Sequence, residues 1–265
     1  MVSVDRRVTP GPPRWPGLAV LEYYLVSYRR TWRASVLSSF LLPVLSMLGF
    51  GLGVGAYVTG GVSGVRYFDY VVPGLVASTA AQVAVGEATW PVFGNFEWIK
   101  IYFAQASAPL RIRDVLGGHL AFVCLRVLAS GAVFLAVAAA FGAVHSAWAL
   151  ATLPVLVLVG LSVAAPVFGY TASVSSDSYL ALLFRFGVIP MTLFSGVFFP
   201  VGSLPAVLRA GAYALPLWHG VDLCRAATLG VPPEWSVPGH LLVLAGWSAV
   251  GWLLARARFR RRLVV

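Results

Sequence analysis

Residues 115–141 read VLGGHLAFVCLRVLASGAVFLAVAAAF, and Arg126 is the only formally charged side chain among them. About 20 consecutive apolar residues suffice to cross a bilayer as an α-helix, so this stretch predicts a membrane span. The whole chain agrees, because 59% of its 265 residues are hydrophobic, 11% are charged and the mean hydropathy is +0.85. Soluble domains are about 45–50% apolar and about 25% charged. The composition therefore excludes an ordinary soluble protein and leaves no room for a separate soluble catalytic domain.

The same reasoning predicts an all-α polytopic membrane protein with six transmembrane helices. The spans are placed at residues 34–57, 70–92, 115–141, 147–172, 179–199 and 239–255. Before them, residues 1–16 are a basic, proline-rich tail, and residues 17–33 combine apolar side chains at helical spacing with several arginines. That pattern is typical of an amphipathic helix in the headgroup region. We therefore divide the chain into a cytoplasmic tail and interfacial helix, 1–33, and a six-helix transmembrane domain, 34–265.

The distribution of basic residues predicts the orientation. The net charge is +10, and with the N-terminus inside, 14 of the 19 Lys and Arg residues fall in inner segments. The outer segments hold only Arg66, Arg209 and Arg225. Because cytoplasmic loops carry the excess of Lys and Arg, both termini are expected to be cytoplasmic. The arginines flank apolar runs and form no patch among aromatic residues, so we expect no nucleic-acid partner.

Residues 93–114 form the largest inner loop between spans. The loop contains a short predicted helical run with Glu97 and Lys100 at i,i+3 spacing, followed by a turn at Pro109. Such a helix could dock into a groove of a partner protein. It could equally lie against the lipid headgroups, and the loop by itself leaves both interpretations open.

Residues 198–238, between spans five and six, form an apolar outer segment interrupted by prolines. Proline breaks helices, and an apolar segment too short to cross cleanly is typical of re-entrant or interfacial helices. We therefore predict short outer re-entrant helices before the last span, in preference to a plain loop.

Three charged residues, Glu87, Arg126 and Arg185, fall within predicted spans. Charge at the centre of a membrane helix is unfavourable, so each is a candidate functional residue. Glu87 and Arg126 lie on neighbouring spans and could pair; alternatively, Glu87 faces an aqueous cavity and Arg126 extends to the interface separately. Arg185 lies near the inner end of its span, where its side chain can reach the headgroups. His119 is interpreted as a headgroup contact in preference to a metal ligand.

The sequence has no motif for catalysis, nucleotide binding or metal binding. A P-loop requires Gly-Lys-Ser or Gly-Lys-Thr, whereas Ile99 precedes Lys100, which is the only lysine. HExxH and GxSxG motifs do not occur. Two cysteines, Cys124 and Cys224, form neither a disulfide framework nor a zinc site. The outer histidines, His145, His219 and His240, lack ligand spacing, so we expect no metal site and no catalytic residue.

Several short motifs resemble one family. Ser195-Gly196-Val197, Leu204-Pro205, Pro216-Leu217-Trp218-His219 and Arg225 are similar to the C-terminal signature of ABC-2 type transporter permeases. Val188 and Phe194 depart from that signature by conservative apolar changes. Residues 67–75, YFDYVVPGL, resemble the nodulation-factor and daunorubicin-type exporter branch. The resemblance extends from about Gly17 to the C-terminus.

The resemblance implies the permease subunit of an ATP-driven exporter in the bacterial cytoplasmic membrane. Such six-span subunits pair with a second permease subunit and bind ATPase subunits, which hold the ATP and Mg; this chain would bind no cofactor. Its cargo would be amphipathic, such as a drug or a lipid- or glycan-linked molecule. The family motif residues are Pro205, Pro216, His219 and Arg225. The inner loop would be the coupling element, with these candidate ATPase contacts: Asn95, Phe96, Glu97, Trp98, Lys100, Phe103 and Pro109.

Two other classes stay open on the residues alone: a membrane-embedded enzyme acting on lipid-like substrates, and a secondary transporter. The enzyme would be expected to cluster acidic residues at the membrane edge, but the nine acidic residues here are spread singly. A secondary transporter would favour internal repeats, and no convincing repeat is visible. A neighbouring gene that encodes a Walker A motif would favour the exporter.

Overall fold

The computed structural model describes residues 16–58 and 60–264, without the side chains of residues 31–40, 42, 43, 51 and 52. The predicted N-terminal tail lies almost entirely outside the described residues. The described chain is nearly all helical and contains no strand, only an isolated bridge between Val62 and Val65. The all-helical fold class is therefore correct for this part of the chain.

Eleven α-helices follow one another along the described chain. Their bounds are α1 Pro16–Ser46, α2 Tyr67–Ala88, α3 Trp90–Glu97, α4 Ile101–Ala106, α5 Ile112–Ala140, α6 Thr152–Thr171, α7 Ser178–Leu183, α8 Ile189–Phe194, α9 Ala206–Ala214, α10 Pro216–Leu229 and α11 Val237–Leu263. Two π-helical segments, Met47–Gly53 and Phe184–Val188, extend α1 and join α7 to α8. Three short 3-10 turns are Val54–Tyr57, Ala147–Ala151 and Val201–Ser203.

Four helical segments in the described residues are long and apolar enough to cross a membrane. They are Tyr67–Glu97, Ile112–Ala140, Ala147–Thr171 and Val237–Leu263, and they correspond to predicted spans two, three, four and six. The segments predicted as spans one and five yield only the shorter apolar helices Val44–Tyr57 and Ser178–Phe194. The sequence-based count of six spans is thus not reproduced by helix length and composition.

The N-terminal segment differs from its prediction, because no break separates an interfacial helix from a first span. A single helix, α1, runs from Pro16 to Ser46. No glycine or proline occurs between Leu18 and Leu42, so nothing in this stretch interrupts the backbone hydrogen bonds. Val20 and Tyr24 on this helix are buried against Phe122 of α5.

The second predicted span extends to Glu97 but bends where α2 meets α3. Thr89 adopts a non-helical conformation, and Pro91 at the start of α3 lacks the amide that would bond the carbonyl of Glu87. The carbonyl of Ala88, also at the bend, accepts a hydrogen bond from the Thr171 hydroxyl at 2.8 Å. Residues 93–97 belong to helix α3, which the bend separates from α2, whereas the sequence analysis placed them in the inner loop with Glu97 in a short helical run.

Helix α6 lies at the centre of the helical bundle and packs against α2, α5, α10 and α11. Its contact with α11 is close because Gly251 lies directly against Pro166. A Cβ atom at position 251 would collide with the proline ring and with the backbone of Ala165. This approach holds α11 along the length of α6.

The bundle has two ends, which we name after α2. At the Tyr67 end, the start of α2 lies near the α5–α6 connection and α10, as shown by a 3.1 Å contact between Asp69 and His145. At the Glu97 end, Arg262 of α11 pairs with Glu97 and donates to the carbonyl of Ala172 at 3.3 Å. The candidate functional residues divide between these two ends.

Candidate functional site: a charge pair, an inner loop and an outer motif

Glu87 and Arg126, on neighbouring helices α2 and α5, form an ion pair. The Nε atom of Arg126 donates to Oε1 of Glu87 at 3.0 Å, and the two side chains are 15% and 20% exposed. Arg126 also donates to the hydroxyl of Tyr28 on α1 and lies 4.4 Å from the centre of that ring. The arrangement ties three helices together, and the structure places these two charges as a pair instead of separately.

Arg185 has a different environment. It lies on the π-helical segment between α7 and α8, and its side chain is exposed. The structure thus does not bring Arg185 to the Glu87–Arg126 pair, and its interpretation as a residue that reaches the interface stays a prediction.

Beneath the inner loop lies a buried cluster of polar and aromatic side chains, hereafter the base, formed by Tyr24, Asn95, Phe96, Tyr102 and His119. Asn95 is buried and donates to the hydroxyl of Tyr24 at 3.0 Å. The hydroxyl of Tyr102 contacts Nδ1 of His119 at 2.6 Å, and His119 stacks on Tyr24 with 4.0 Å between ring centres. His119 is fully enclosed, so its interpretation as a headgroup contact is wrong; its ring instead joins α5 to α1 and α4.

The C-terminal helix completes this base. Phe96 lies 4.9 Å from Phe259 between ring centres, and the guanidinium of Arg262 sits 4.4 Å from the Phe96 ring. Arg262 also pairs with Glu97. Asn95 and Phe96 are buried and hold the loop in place, whereas Glu97 is paired with Arg262 but stays exposed.

The tip of the loop is exposed. Trp98 and Ile99 are 61% and 69% exposed, and Phe103 on α4 is 39% exposed. Lys100, between α3 and α4, has a left-handed backbone with φ of 57°, so the predicted helical run through Glu97 and Lys100 is wrong. Pro109 is exposed in the turn between α4 and α5. Trp98, Ile99 and Phe103, hereafter the loop tip, form an apolar surface at the Glu97 end.

The motif residues at the Tyr67 end converge although they are distant in sequence. Arg225 of α10 donates to the carbonyl of Gly196 at 2.7 Å and to that of Tyr70 at 3.3 Å, and its guanidinium lies 3.9 Å from the Tyr70 ring centre. Gly196 has φ of 75°, and Gly74 of α2 leaves no space for a Cβ beside Val197. One arginine therefore joins α10, α2 and the turn after α8.

His219 belongs to a buried chain of polar groups. Its Nε2 donates to the carbonyl of Tyr213 at 2.9 Å, and its Nδ1 lies 2.8 Å from Nδ1 of His240. His240 Nε2 is 3.0 Å from Oδ2 of Asp222. Burial lowers the pKa of His219, and its Nε2 carries the proton toward Tyr213 because a carbonyl oxygen can only accept. His219 and His240 are thus in contact, contrary to their interpretation as scattered residues.

The prolines of the motif start helices. Pro205 precedes the first residue of α9 and is exposed, whereas Pro216 occupies the first position of α10 and is buried. The first turn of a helix needs no amide donor, which makes it the favoured place for proline.

Among residues 16–58 and 60–264, no group of three His, Cys, Asp or Glu side chains could hold a metal ion.

Comparisons with known proteins identify the family. The ABC-2 type transporter family matches residues 18–229. Nodulation protein J of Rhizobium leguminosarum bv. trifolii is 32% identical over 93% of this chain and 94% of its own length. Nodulation protein J of Sinorhizobium fredii is 29% identical over 97% of both chains. The chain belongs to the ABC-2 type transporter family.

A more distant relative points to the same general role. The inner membrane transport permease YadH of Escherichia coli is 24% identical over 77% of this chain. As an ABC-2 type transporter with long apolar helices, the chain is a membrane-embedded transport component. This family membership confirms the resemblance deduced from residues 67–75 and from the motif that ends at Arg225.

Sequence reasoning missed several residues that build these sites in this ABC-2 chain. Tyr24, Tyr28, Tyr102, Phe259 and Arg262 all touch a predicted site residue. Apart from those of Tyr102, which touches the neighbouring helices α3 and α5, these contacts join helices that are far apart in sequence, so no local spacing indicated them. Only the contact of Arg262 could have been suspected from the sequence. Arg262 is one of the basic residues at the predicted cytoplasmic end of the last span, and Glu97 lies in a predicted cytoplasmic loop.

Proposed function

We propose that this chain is the transmembrane permease subunit of an ATP-binding-cassette exporter that moves an amphipathic substrate outward. The observation that carries the proposal is the similarity to ABC-2 permeases over almost the whole chain. A separate ATPase subunit supplies the energy, because the only lysine of this chain lies outside any P-loop sequence. ATP and Mg are held by that partner.

The loop tip is the proposed contact with the ATPase. Trp98 and Ile99 are large apolar side chains exposed beyond the buried base of Phe96 and Tyr102. Large aromatic and apolar side chains of this kind commonly anchor protein interfaces. Movements of a bound ATPase would reach α1 and α11 through this base, since Asn95 binds Tyr24 and Glu97 binds Arg262.

Contacts of the two shorter segments support a six-span topology. Gly17 lies near Asp114 at the Glu97 end, whereas Gly55 lies near Tyr67 at the other end, so the first segment extends from one end to the other. Ala172 is bonded by Arg262 at the Glu97 end, and Gly196 is bonded by Arg225 at the Tyr67 end. Residues 178–194 therefore also pass between the ends.

The orientation follows from charge. The Glu97 end carries the arginines of the C-terminal part of α11 together with Lys100, Arg111 and Arg113. The excess of basic residues at this end favours a cytoplasmic location for it and for both chain termini. The proposed location is the bacterial cytoplasmic membrane.

The surface of the bundle supports a second permease subunit and surrounding lipid as further partners. Leu242, Val250 and Leu253 of α11 are 73%, 64% and 62% exposed, and Phe186 between α7 and α8 is 78% exposed. These apolar faces require either lipid or another apolar surface. A pair of permease subunits, identical or different, would cover part of them.

Purification from native membranes tests the proposed function. Tagged wild-type chain is expected to bring down a protein with a Walker A motif, and the purified complex should hydrolyse ATP in the presence of Mg. Inside-out vesicles should then accumulate an amphipathic cargo only with hydrolysable ATP. A chain that purifies without any nucleotide-binding protein and transports under an ion gradient alone would refute the proposal.

A further inference from the structure

Helix α11 has two opposite faces, and only one of them packs against the rest of the bundle. Its buried residues recur at intervals of three or four, which is the spacing of one face of an α-helix. They are His240, Leu244, Ser248, Gly251, Ala255 and Phe259. The opposite face is exposed, and Leu242, Val250 and Leu253 make it apolar over most of its length.

The exposed face becomes basic at its C-terminal end. An open groove of about 600 Å³ lies there, lined by Leu253, Arg256, Ala257, Arg260, Arg261 and Val264. The side chains of Arg256, Arg260 and Arg261 are all exposed. Arg256 and Arg260 lie one helical turn apart, where like charges destabilise a helix. An anion held between the three arginines would offset this repulsion.

The chain has no acidic segment to cover this groove. Its sequence contains no Asp or Glu after Glu234, so α11 offers its arginines no carboxylate at i,i+4 spacing. Among the described residues, the arginines of α11 form one salt bridge, between Arg262 and Glu97, and Arg262 does not line the groove. Residues 1–15 carry three arginines against a single aspartate and so have the same sign of charge.

An anionic phospholipid matches the groove better than a protein does. A second copy of the chain would bring the same arginines to the contact, and like charges oppose such an association. A cytosolic protein could reach the arginines but not Val250 and Leu253, which lie in the predicted sixth span, 239–255. A phospholipid satisfies both parts, because its phosphate accepts hydrogen bonds from guanidinium groups while an acyl chain covers the apolar side chains.

We infer that this groove binds the phosphate of an anionic phospholipid between Arg256, Arg260 and Arg261, with an acyl chain along the apolar face of α11. Clusters of about four to eight basic residues beside a span are typical of contacts with anionic lipids, and residues 256–262 contain five arginines. The placement of this lipid in the inner leaflet rests on the proposed function and its orientation, whereas the binding itself does not.

The lipid binds on the far side of α11 from the base. Phe259 and Arg262 contact Phe96 of the base from the same turns of the helix that carry the groove. A ligand stabilises the folded state to which it binds. Phosphate binding therefore stabilises the end of α11 that holds the base in place.

Native mass spectrometry of the full chain, purified in dodecyl maltoside, measures the binding. Dioleoylphosphatidylglycerol is compared with dioleoylphosphatidylcholine, which has the same tails and phosphate but also carries a cationic choline. Wild-type chain should bind phosphatidylglycerol at least about tenfold more tightly, because the arginines repel the choline. Glycerol phosphate, which lacks the tails, should compete at least about tenfold more weakly than the lipid.

Ala257 provides a matched pair of variants, because it is exposed in the groove between the arginines. Ala257→Glu places a carboxylate one turn before Arg261, so it should pair with that arginine and weaken binding of phosphatidylglycerol about tenfold. Ala257→Gln adds a side chain of the same size without charge and should bind within about twofold of wild type. Phosphatidylglycerol should raise the unfolding temperature of Ala257→Gln and leave that of Ala257→Glu unchanged.

Removal of the arginines gives a second test. Arg256→Gln with Arg260→Gln should abolish the preference for phosphatidylglycerol, since each arginine near an anionic headgroup contributes about fivefold. Arg29→Gln with Arg30→Gln is the control, because these exposed residues of α1 carry the same charge outside the groove. This control variant should keep the preference.

Equal binding of the two phospholipids by the wild-type chain would overturn the inference, as would equal effects of Ala257→Glu and Ala257→Gln. An equal loss of preference in the two arginine variants would also overturn it, since attraction would then come from overall charge. A dimer that dissociates in Ala257→Glu, with lipid binding unchanged, would identify a second copy as the occupant and contradict the inference. Glycerol phosphate that competes as strongly as the lipid would contradict it too. None of these measurements involves an ATPase or transport, so their failure is separate from that of the proposed function.

Discussion

Glu87 and Arg126 stabilise the junction of α1, α2 and α5. Glu87→Gln and Arg126→Gln should each lower the free energy of unfolding by about 1–3 kcal/mol, less than the about 3–5 kcal/mol typical of a fully buried pair, since both side chains are partly exposed. The reversed pair, Glu87→Arg with Arg126→Glu, should recover part of the loss. Thermal unfolding in detergent, analysed as a double-mutant cycle, measures the coupling.

The control for this cycle is Glu22→Gln, an exposed acidic residue on α1 that should leave the unfolding temperature unchanged. Additive effects of the two single substitutions, with no recovery in the reversed pair, would show that Glu87 and Arg126 are not coupled.

Arg225 should be sensitive even to lysine. Lysine cannot reproduce the planar guanidinium that reaches both Gly196 and Tyr70 while stacking on the Tyr70 ring. We expect Arg225→Lys to lower stability by about 1–3 kcal/mol, the usual range for charged hydrogen bonds. Arg209→Lys, on α9, is the matched control, and similar unfolding temperatures for both variants would contradict the assigned contacts.

Residue-scale reasoning from the sequence offered the Glu87–Arg126 pair as one of two alternatives and missed the contacts between helices that are distant in sequence. Glu87 and Arg126 could be matched because charges on adjacent apolar helices have few other partners. The partners of Arg225 could not, since Tyr70 and Gly196 lie 155 and 29 residues away in sequence. The contact between His219 and His240 likewise requires α10 and α11 to be packed together.

At the scale of elements, the contact between α6 and α11 depends on Gly251. Gly251→Ala should lower the free energy of unfolding by about 1–3 kcal/mol, because the added methyl group collides with the ring of Pro166. Gly246→Ala on the same helix has open space around it and should be neutral or slightly stabilising. Unfolding in detergent compares the two variants, and equal effects would mean that the close approach is absent.

Helix boundaries were predictable where apolar runs are long. The stretches around Phe134, Leu158 and Leu244 appear as α5, α6 and α11 within a few residues of their predicted limits, except that α11 continues through its arginines. The inner loop was less predictable, because its shape depends on Pro91 and on the left-handed residue Lys100. Local sequence does not indicate that Phe96 and Tyr102 are buried under α11.

At the scale of the whole molecule, the six-span topology makes a labelling prediction. In a variant without Cys124 and Cys224, single cysteines are placed at Leu18, Ser63, Ser175 and Trp235. A membrane-impermeant maleimide should label positions 63 and 235 in intact spheroplasts and positions 18 and 175 only after permeabilisation. Labelling of 18 together with 63, and of 175 together with 235, would instead indicate four spans.

The most direct test of the account is a cross-link from the loop tip to the ATPase. A photoreactive phenylalanine analogue is placed at Trp98 and, as a control, at Trp148, which is 75% exposed near the opposite end of the bundle. Irradiation of membranes should give an adduct between the chain and a Walker A protein from position 98 and none from position 148. An ATPase adduct from position 148 alone, or no adduct with a nucleotide-binding protein from position 98, would contradict the account.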